Sequence, residues 1–352
     1  MNALTNRCSL LLSLAILVPI VTAGCRREAP EQGTVAAPSE IIEDSQGAAD
    51  EESPEQAPDA YHSEIQEWQQ ERAERLQADD GWLSLVGLHW LEDGPNTIGS
   101  GPDNSIVFPE GKAPKALGTI ILIRGSEDRA VIQFEPAEGS ELYVDGKPVT
   151  RMIELTSDAS GDPTELRHGT LSFFAIVRGD RFGLRVRDSE SPALVSFAGL
   201  EHFPVDPRWK IEARFEPYDP PMMIPIANIV GIESEEPSPG AIVFEVRGRT
   251  YRLDALDGGE DELFIIFSDA TTGNETYGAG RYLYTPRARA GGRIVIDFNK
   301  AYNPPCAFTE FATCPLPPRQ NKLRIRIEAG EKNYHMPEPE TDGTQASSDQ
   351  RG

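Results

Sequence analysis

From about Trp90 onward the chain advances in short apolar runs, each broken after a few residues by Gly, Pro, Asp or Asn, and strand-like and helix-like periods never alternate. That pattern argues against a parallel doubly wound sheet and predicts a mainly β protein. The expected strands of the first half are 105–108, 119–123, 131–134, 141–144, 170–177 and 182–186, with Asp145-Gly146 as a two-residue hairpin turn. Those of the second half are 224–231, 241–246, 250–253, 263–268, 281–284, 292–298 and 322–327, with Gly248-Arg249 as a hairpin candidate. The 31 glycines and 29 prolines favour such turn-rich structure over long helices.

One helix is expected ahead of these runs. Tyr61, Ile65, Trp68 and Leu76 recur at near-helical spacing with Glu and Arg between them, which predicts an amphipathic helix over 60–77 stopped by Asp79-Asp80-Gly81. The apolar stretch 81–91 reads as a buried strand or hairpin, and His89, set among apolar neighbours, as a core histidine. The predicted organisation is a helix plus β-sandwich over 60–190, followed by a second antiparallel β-domain over 191–334.

The N-terminal 25 residues have the pattern of an export signal. A short n-region carrying Arg7 precedes an apolar stretch, 9–21, that is too short to span a bilayer and suited to a signal h-region. Val21-Thr22-Ala23-Gly24-Cys25 resembles a lipobox, so signal removal over 1–24 and lipidation of Cys25 are expected; the alternative is ordinary cleavage that leaves Cys25 a free thiol. Arg26 instead of Asp after the cysteine favours an outer-membrane address facing the periplasm. Residues 25–59 and 335–352, rich in Glu, Asp, Pro, Ala, Ser and Gln, read as a disordered acidic tether and a disordered tail.

The formal net charge of −24 would repel nucleic-acid phosphates and anionic headgroups, so no nucleic-acid partner is expected. The membrane is met through lipid on Cys25, and any small-molecule or envelope partner is left unnamed.

Thr97-Ile98-Gly99-Ser100-Gly101-Pro102-Asp103-Asn104-Ser105-Ile106-Val107 and Glu165-Leu166-Arg167-His168-Gly169-Thr170-Leu171 resemble the opening and closing segments of a forkhead-associated domain. The resemblance implies a β-sandwich. Ser100 stands where that family has its anchoring Arg, and its Ser-Arg-x-His loop meets only Ala113-Pro114-Lys115-Ala116-Leu117-Gly118. An anion site without its bidentate Arg loses its main contact, so no phosphopeptide partner is expected.

The densest motif lies between Thr276 and Lys332. It holds Thr276-Tyr277-Gly278-Ala279-Gly280-Arg281-Tyr282-Leu283, Ile296-Asp297-Phe298-Asn299-Lys300-Ala301-Tyr302-Asn303-Pro304-Pro305-Cys306 and Phe311-Ala312-Thr313-Cys314-Pro315-Leu316-Pro317-Pro318. Together with Gly81-Trp82-Leu83-Ser84-Leu85-Val86-Gly87-Leu88 and Phe203-Pro204-Val205-Asp206, these closely resemble the bacterial and archaeal domain-of-unknown-function family 1684 over residues 60–334. That resemblance implies no reaction.

Prolines and cysteines between Asn303 and Arg319 should make a rigid irregular loop. Two cysteines left in an exported chain most simply form a Cys306–Cys314 disulfide, adding about 2–3 kcal/mol in the chain-entropy model. Arg281, Asp297, Asn299, Tyr302, Asn303, Arg319 and Asn321 flank the loop and are the candidate ligand-binding residues; the alternative is that these groups pin the loop itself. Arg281 is expected either to fork onto Asp297 or to hold an anionic substrate group, and Arg281, Asp297, Asn299, Tyr302 and Asn303 to share one surface. The leading function is a ligand- or partner-binding module using the loop around Asn303. The alternatives are a hydrolase drawing on the carboxylates of Asp269, Glu275 and Asp297, and a purely structural envelope protein. Neither a metal nor a cofactor is expected, because no histidine lies near the Cys pair before His335 and no nucleophile elbow, zincin or Walker motif occurs.

Overall fold

A computed structural model describes residues 56–125 and 130–335. The signal segment, Cys25, the tether up to residue 55 and the tail beyond residue 335 lie outside the described residues.

Helix α1 (Gln56–Gln77) begins four residues before the expected start. Its inward stripe is Tyr61 and Trp68, half-buried, with Ile65, Arg72 and Leu76 buried, so the apolar period continues through an arginine. The helix ends at Gln77, and only glycine fits at 81, where a Cβ would sit 2.4 Å from the carbonyl oxygen of Leu76. The sequence grouped α1 with the first sandwich, yet its side chains bond the second β part. Tyr61 reaches Asp297, Glu64 reaches Lys300, and Arg72 reaches Glu331.

The first β part consists of β1 (Leu85–Trp90), β2 (Gly94–Gly99), β3 (Ile106–Val107), β4 (Gly118–Arg124), β5 (Ala130–Pro136), β6 (Tyr143–Val144), β7 (Lys147–Pro148), β8 (Ile153–Leu155), β9 (Leu166–His168), β10 (Leu171–Arg178) and β11 (Arg181–Asp188). One sheet runs β1-β11-β10-β9-β6-β7 and the other β3-β2-β4-β5-β8. All pairings are antiparallel except β2 with β3. Ile98, Ile120, Leu122, Ile132 and Phe134 from one sheet meet Phe173, Ala175, Leu184 and Val186 from the other in one core, which is how alternating strands bury one face each. Asp145 (φ 49°) and Gly146 form the expected hairpin turn. The loops flanking β3 are tied together: the Ser100 hydroxyl donates to the Ala113 carbonyl at 2.7 Å, and the Asn104 amide to the Lys115 carbonyl at 2.7 Å.

A short helix, α2 (Pro192–Val195), is capped by Ser191 and leads to the second β part. Its strands are β12 (Lys210–Ala227), β13 (Glu233–Val246), β14 (Arg249–Asp257), β15 (Glu262–Phe267), β16 (Arg281–Pro286) and β17 (Arg293–Asp297), in the order β16-β15-β14-β13-β12-β17. The sheet curls so that its two edges approach, and the Thr285 hydroxyl of β16 donates to the Val295 carbonyl of β17. Ile242, Phe244, Leu253, Ile265, Phe267, Leu283, Ile296 and Phe298 fill the inside, with Leu323 and Ile327 of the C-terminal segment. The expected strand 322–327 is not formed; that stretch bends at 324–325 and is held by a bridge between Ser268 and Lys322 and by Arg281, which donates to the Ile327 carbonyl. Conversely, β12 starts well before the expected 224–231. Its first half alternates Ile211, Ala213 and Phe215 inward, and its prolines come after Arg214, beyond the stretch paired with β17, where a missing N–H costs nothing to that ladder.

Candidate functional site

The residues singled out around the Cys loop separate into four buried clusters. In the first, the Tyr61 hydroxyl lies 2.8 and 2.9 Å from the two Asp297 carboxylate oxygens, and Asn299 Nδ2 donates to that hydroxyl at 3.0 Å, to Asp297 Oδ1 at 3.2 Å and to the Asp206 carbonyl at 2.9 Å. Asp297 and Asn299 do meet, but not through strand alternation: the strand ends at Asp297, whose carboxylate caps the 3-10 turn Phe298–Lys300 by accepting the Asn299 N–H at 3.1 Å. Burial and the neighbouring Asp297 carboxylate push the Tyr61 phenol well above its ordinary range, so it remains a donor.

The second cluster centres on Asn303, which is fully buried. Its N–H donates to Glu331 at 2.7 Å, its side-chain amide to the Lys332 carbonyl at 2.7 Å, and its carbonyl accepts from Arg72 at 3.1 Å. Arg72 also pairs with Glu331 at 3.1 Å and lies 4.6 Å over the Tyr302 ring. Burial raises the Glu331 carboxyl, while Arg72 and the Asn303 amide oppose the rise.

Arg281 does not meet Asp297. It pairs with Asp269 at 3.2 Å, both side chains wholly out of water, and donates to the Ala329 and Ile327 carbonyls at 2.6 and 3.0 Å. The expected ion pair is therefore wrong in its partner: the neighbour of β16 in the ladder is β15, which delivers Asp269 just past its end, whereas β17 pairs with β12. In the fourth cluster Asn321 is satisfied by the Asp254 backbone and the Ile266 carbonyl, at 2.8 to 2.9 Å. The expected single shared surface thus does not form. Tyr302 is half-buried and Arg319 is exposed. Glu275 binds Arg326 at 2.5 Å, and that hydrogen bond holds its carboxyl below the usual range.

Cys306 and Cys314 are free thiols, and the expected disulfide is not formed. They are nonetheless neighbours: the Cys306 N–H donates to Cys314 Sγ at 3.0 Å. Hydrogen bonding to Cys314 holds the Cys306 thiol below its ordinary range, and the same bond, with burial, pushes Cys314 up.

A feature the sequence did not single out lies at one end of the curled sheet. A groove of about 930 Å³ is bounded by the start of β12, the β13–β14 hairpin and residues 324–328. Its walls carry Arg208, Lys210, Arg247, Arg249, Arg324 and Arg326 against Asp206, Glu245 and Glu328. Arg208 pairs with Asp206 at 2.7 Å, Lys210 with Glu64 at 3.6 Å and Arg326 with Glu328 at 3.0 Å. The guanidinium groups of Arg247, Arg249 and Arg324 form no ion pair or hydrogen bond among the described residues. Trp209 and Tyr251 are half-buried in the same wall. The available signal was the alternation Arg247-Gly248-Arg249 and Arg324-Ile325-Arg326, two basic pairs in an acidic chain, far apart in sequence. A smaller groove of about 360 Å³ beside β16 and β17 carries Arg287, Arg289 and Arg293 with Glu212. Among the described residues no cluster of His, Cys, Asp or Glu could hold a metal ion, and no helix is long and apolar enough to cross a membrane.

Fold and groove together describe a β-sandwich followed by a curled β-sheet with a basic groove at its end. Residues 195–332 match the family model described as "Protein of unknown function (DUF1684)". The match begins after the first β part, which it leaves outside. Among solved structures, the solution NMR structure of an uncharacterized protein from Haloarcula marismortui is similar, with 30% identity over 39% of this chain and 77% of that one and a TM-score of 0.33. No curated protein matches this chain.

Proposed function

We propose that this protein is a binding module, held at the envelope membrane by lipid on Cys25, that takes an anionic ligand in the groove between β12, the β13–β14 hairpin and residues 324–328. One observation carries the reading: six basic side chains face three acidic ones in a single groove of a chain whose net charge is −24. A local field opposite in sign to the whole surface concentrates anions where it lies and repels them elsewhere. Among the described residues three of the guanidinium groups have no carboxylate partner, and a ligand oxyanion supplies one.

In this reading the loop around Asn303 is scaffold. Its polar groups are largely tied to α1 and to residues 331–332, with the buried Asn303 Oδ1 left without a partner among the described residues, and Arg281 anchors Ile327 and Ala329 at the end of the groove wall. The hydrolase alternative draws no support from the geometry. Asp269 is tied to Arg281, Asp297 to Tyr61 and Glu275 to Arg326, and none of the three lines the groove. A purely structural role leaves the groove without a use. The sandwich is proposed to be forkhead-associated-like without phosphothreonine recognition, since Ser100 bonds Ala113 where an anchoring Arg would stand. Export would place Cys306 and Cys314 in an oxidising compartment, whose oxidant removes two electrons and two protons to join them.

Titration of the mature chain with tripolyphosphate tests the ligand class: saturable binding supports it, and no binding at millimolar concentration removes it. Fractionation of Cys25→Ser tests the anchor: a soluble or uncleaved protein is expected, and mature-length protein still in the membrane fraction would contradict lipidation. Mass spectrometry of unreduced peptides tests the cysteine pair, where two alkylatable thiols would rule out the bridge.

A further inference from the structure

Resting on the anionic groove proposed above, we infer that its ligand is an acidic saccharide, with sugar rings laid on Trp209 and Tyr251 and charged substituents held by Arg247, Arg249 and Arg324.

The groove is built for more than an isolated anion. A volume of about 930 Å³ is at the upper end of ligand sites and far exceeds one phosphate. The unpaired arginines come from two separate segments, the hairpin at 247–249 and the stretch at 324, so their charges call for a ligand with several spaced oxyanions. Trp209 and Tyr251 supply rigid ring surface in the same wall. The Trp209 ring packs edge-on to Phe298 with centroids 6.1 Å apart, and Tyr251 stacks on Phe244 at 5.8 Å. Each is anchored by the core on one side, so ordering it for a ligand costs little side-chain entropy. A bare anion gains nothing from such walls, whereas the C–H face of a sugar ring does. A long nucleic acid would leave the groove and meet the acidic remainder of the surface.

Arg247 carries a second, independent mark. The chain builds two hairpins with left-handed backbone at both turn residues. At Asp145-Gly146 it uses Asp, which tolerates that conformation. At Arg247-Gly248 the first turn residue has φ 52°, yet it is an arginine, whose side chain gains nothing from the turn. An arginine at a left-handed position, on the wall of a groove and without a partner among the described residues, points to a role in binding.

The test is calorimetric titration of the mature protein and Arg247→Asn with four probes: a sulfated heparin-derived tetrasaccharide, tripolyphosphate, maltotetraose and tetrathymidylate. The sulfated tetrasaccharide is expected to bind about tenfold or more tighter than tripolyphosphate, with no binding of maltotetraose. Arg247→Asn is expected to weaken the tetrasaccharide about tenfold while melting at a higher temperature than the parent, so loss of fold cannot explain the loss of binding. If tripolyphosphate binds as tightly as the tetrasaccharide, the saccharide assignment falls and the anionic groove stands. If maltotetraose matches the sulfated sugar, or no probe binds, the anionic reading falls with it. If tetrathymidylate binds tightest, the ligand is a nucleic acid and the inference is wrong. If Arg247→Asn melts higher but binds unchanged, the role given to Arg247 is refuted.

Discussion

Arg281 and Asp269 form an ion pair at 3.2 Å with neither side chain exposed to solvent, and the same two residues hold the C-terminal segment in place. Arg281 donates to the carbonyls of Ile327 and Ala329, and Asp269 accepts the Ile327 N–H at 2.6 Å. Burial lowers the Arg281 guanidinium from its ordinary value while Asp269 opposes the drop. A charge so placed is tolerable only with its partner.

Removing one partner should therefore be costly. Arg281→Ala is expected to destabilise the fold by about 3–5 kcal/mol, the range for an uncompensated buried charge, and Arg281→Met with Asp269→Leu should cost less than either single change. Urea denaturation of Arg281→Ala, Arg281→Met, Asp269→Leu and the double variant checks this. Equal or additive losses would mean that the pair contributes nothing as a pair.

Arg247→Asn should stabilise. Asn accepts the left-handed backbone at φ 52° more readily than Arg, and roughly 0.5–1 kcal/mol is expected from relieving it. Thermal melts of the two proteins decide the matter; a lower midpoint would show that Arg247 has a structural partner.

Acid should loosen the start of α1. A hydrogen bond from Lys300 at 2.6 Å holds the Glu64 carboxyl below its ordinary value of 4.5. Its folded value is thus the lower one, and its contribution is present above the unfolded value and lost as pH falls through the depressed folded value. Amide exchange of residues 59–68, corrected for intrinsic rates, should rise below pH 4.5 in the parent and be less pH-dependent in Glu64→Gln. The same rise in both would assign it to another group.

Groove binding should be sensitive to salt, because the fields of exposed guanidinium groups are screened within about 3 Å at 1 M salt. Tripolyphosphate affinity is expected to fall at least several-fold between roughly 0.05 and 0.5 M sodium chloride. Salt-independent binding would place the ligand elsewhere.

The β architecture was legible in the sequence because alternation and turn residues are local. The hairpin at Asp145-Gly146 and the strand expected at 292–298, observed at Arg293–Asp297, follow from them. Arg72 was not legible, since a charged residue on a buried helix stripe reads as a solvent-facing one until Glu331, 259 residues away, is placed beside it. Asp269 was misassigned because the runs on both sides of Arg281 in sequence carry a carboxylate, and only the sheet order shows that Asp269 arrives and Asp297 does not. Asn303 and Asn321 stood out by residue type, but residue type alone does not separate a polar group that binds a ligand from one that ties down a proline-rich loop. The groove was hidden because its basic residues belong to three stretches that only the curl of the sheet brings together.

Hydrogen-exchange mass spectrometry of the mature chain with and without tripolyphosphate tests the central claim most directly. An anionic ligand in the groove predicts protection confined to residues 206–211, 245–251 and 324–328. Protection centred instead on residues 299–319, or none in any segment, would contradict it.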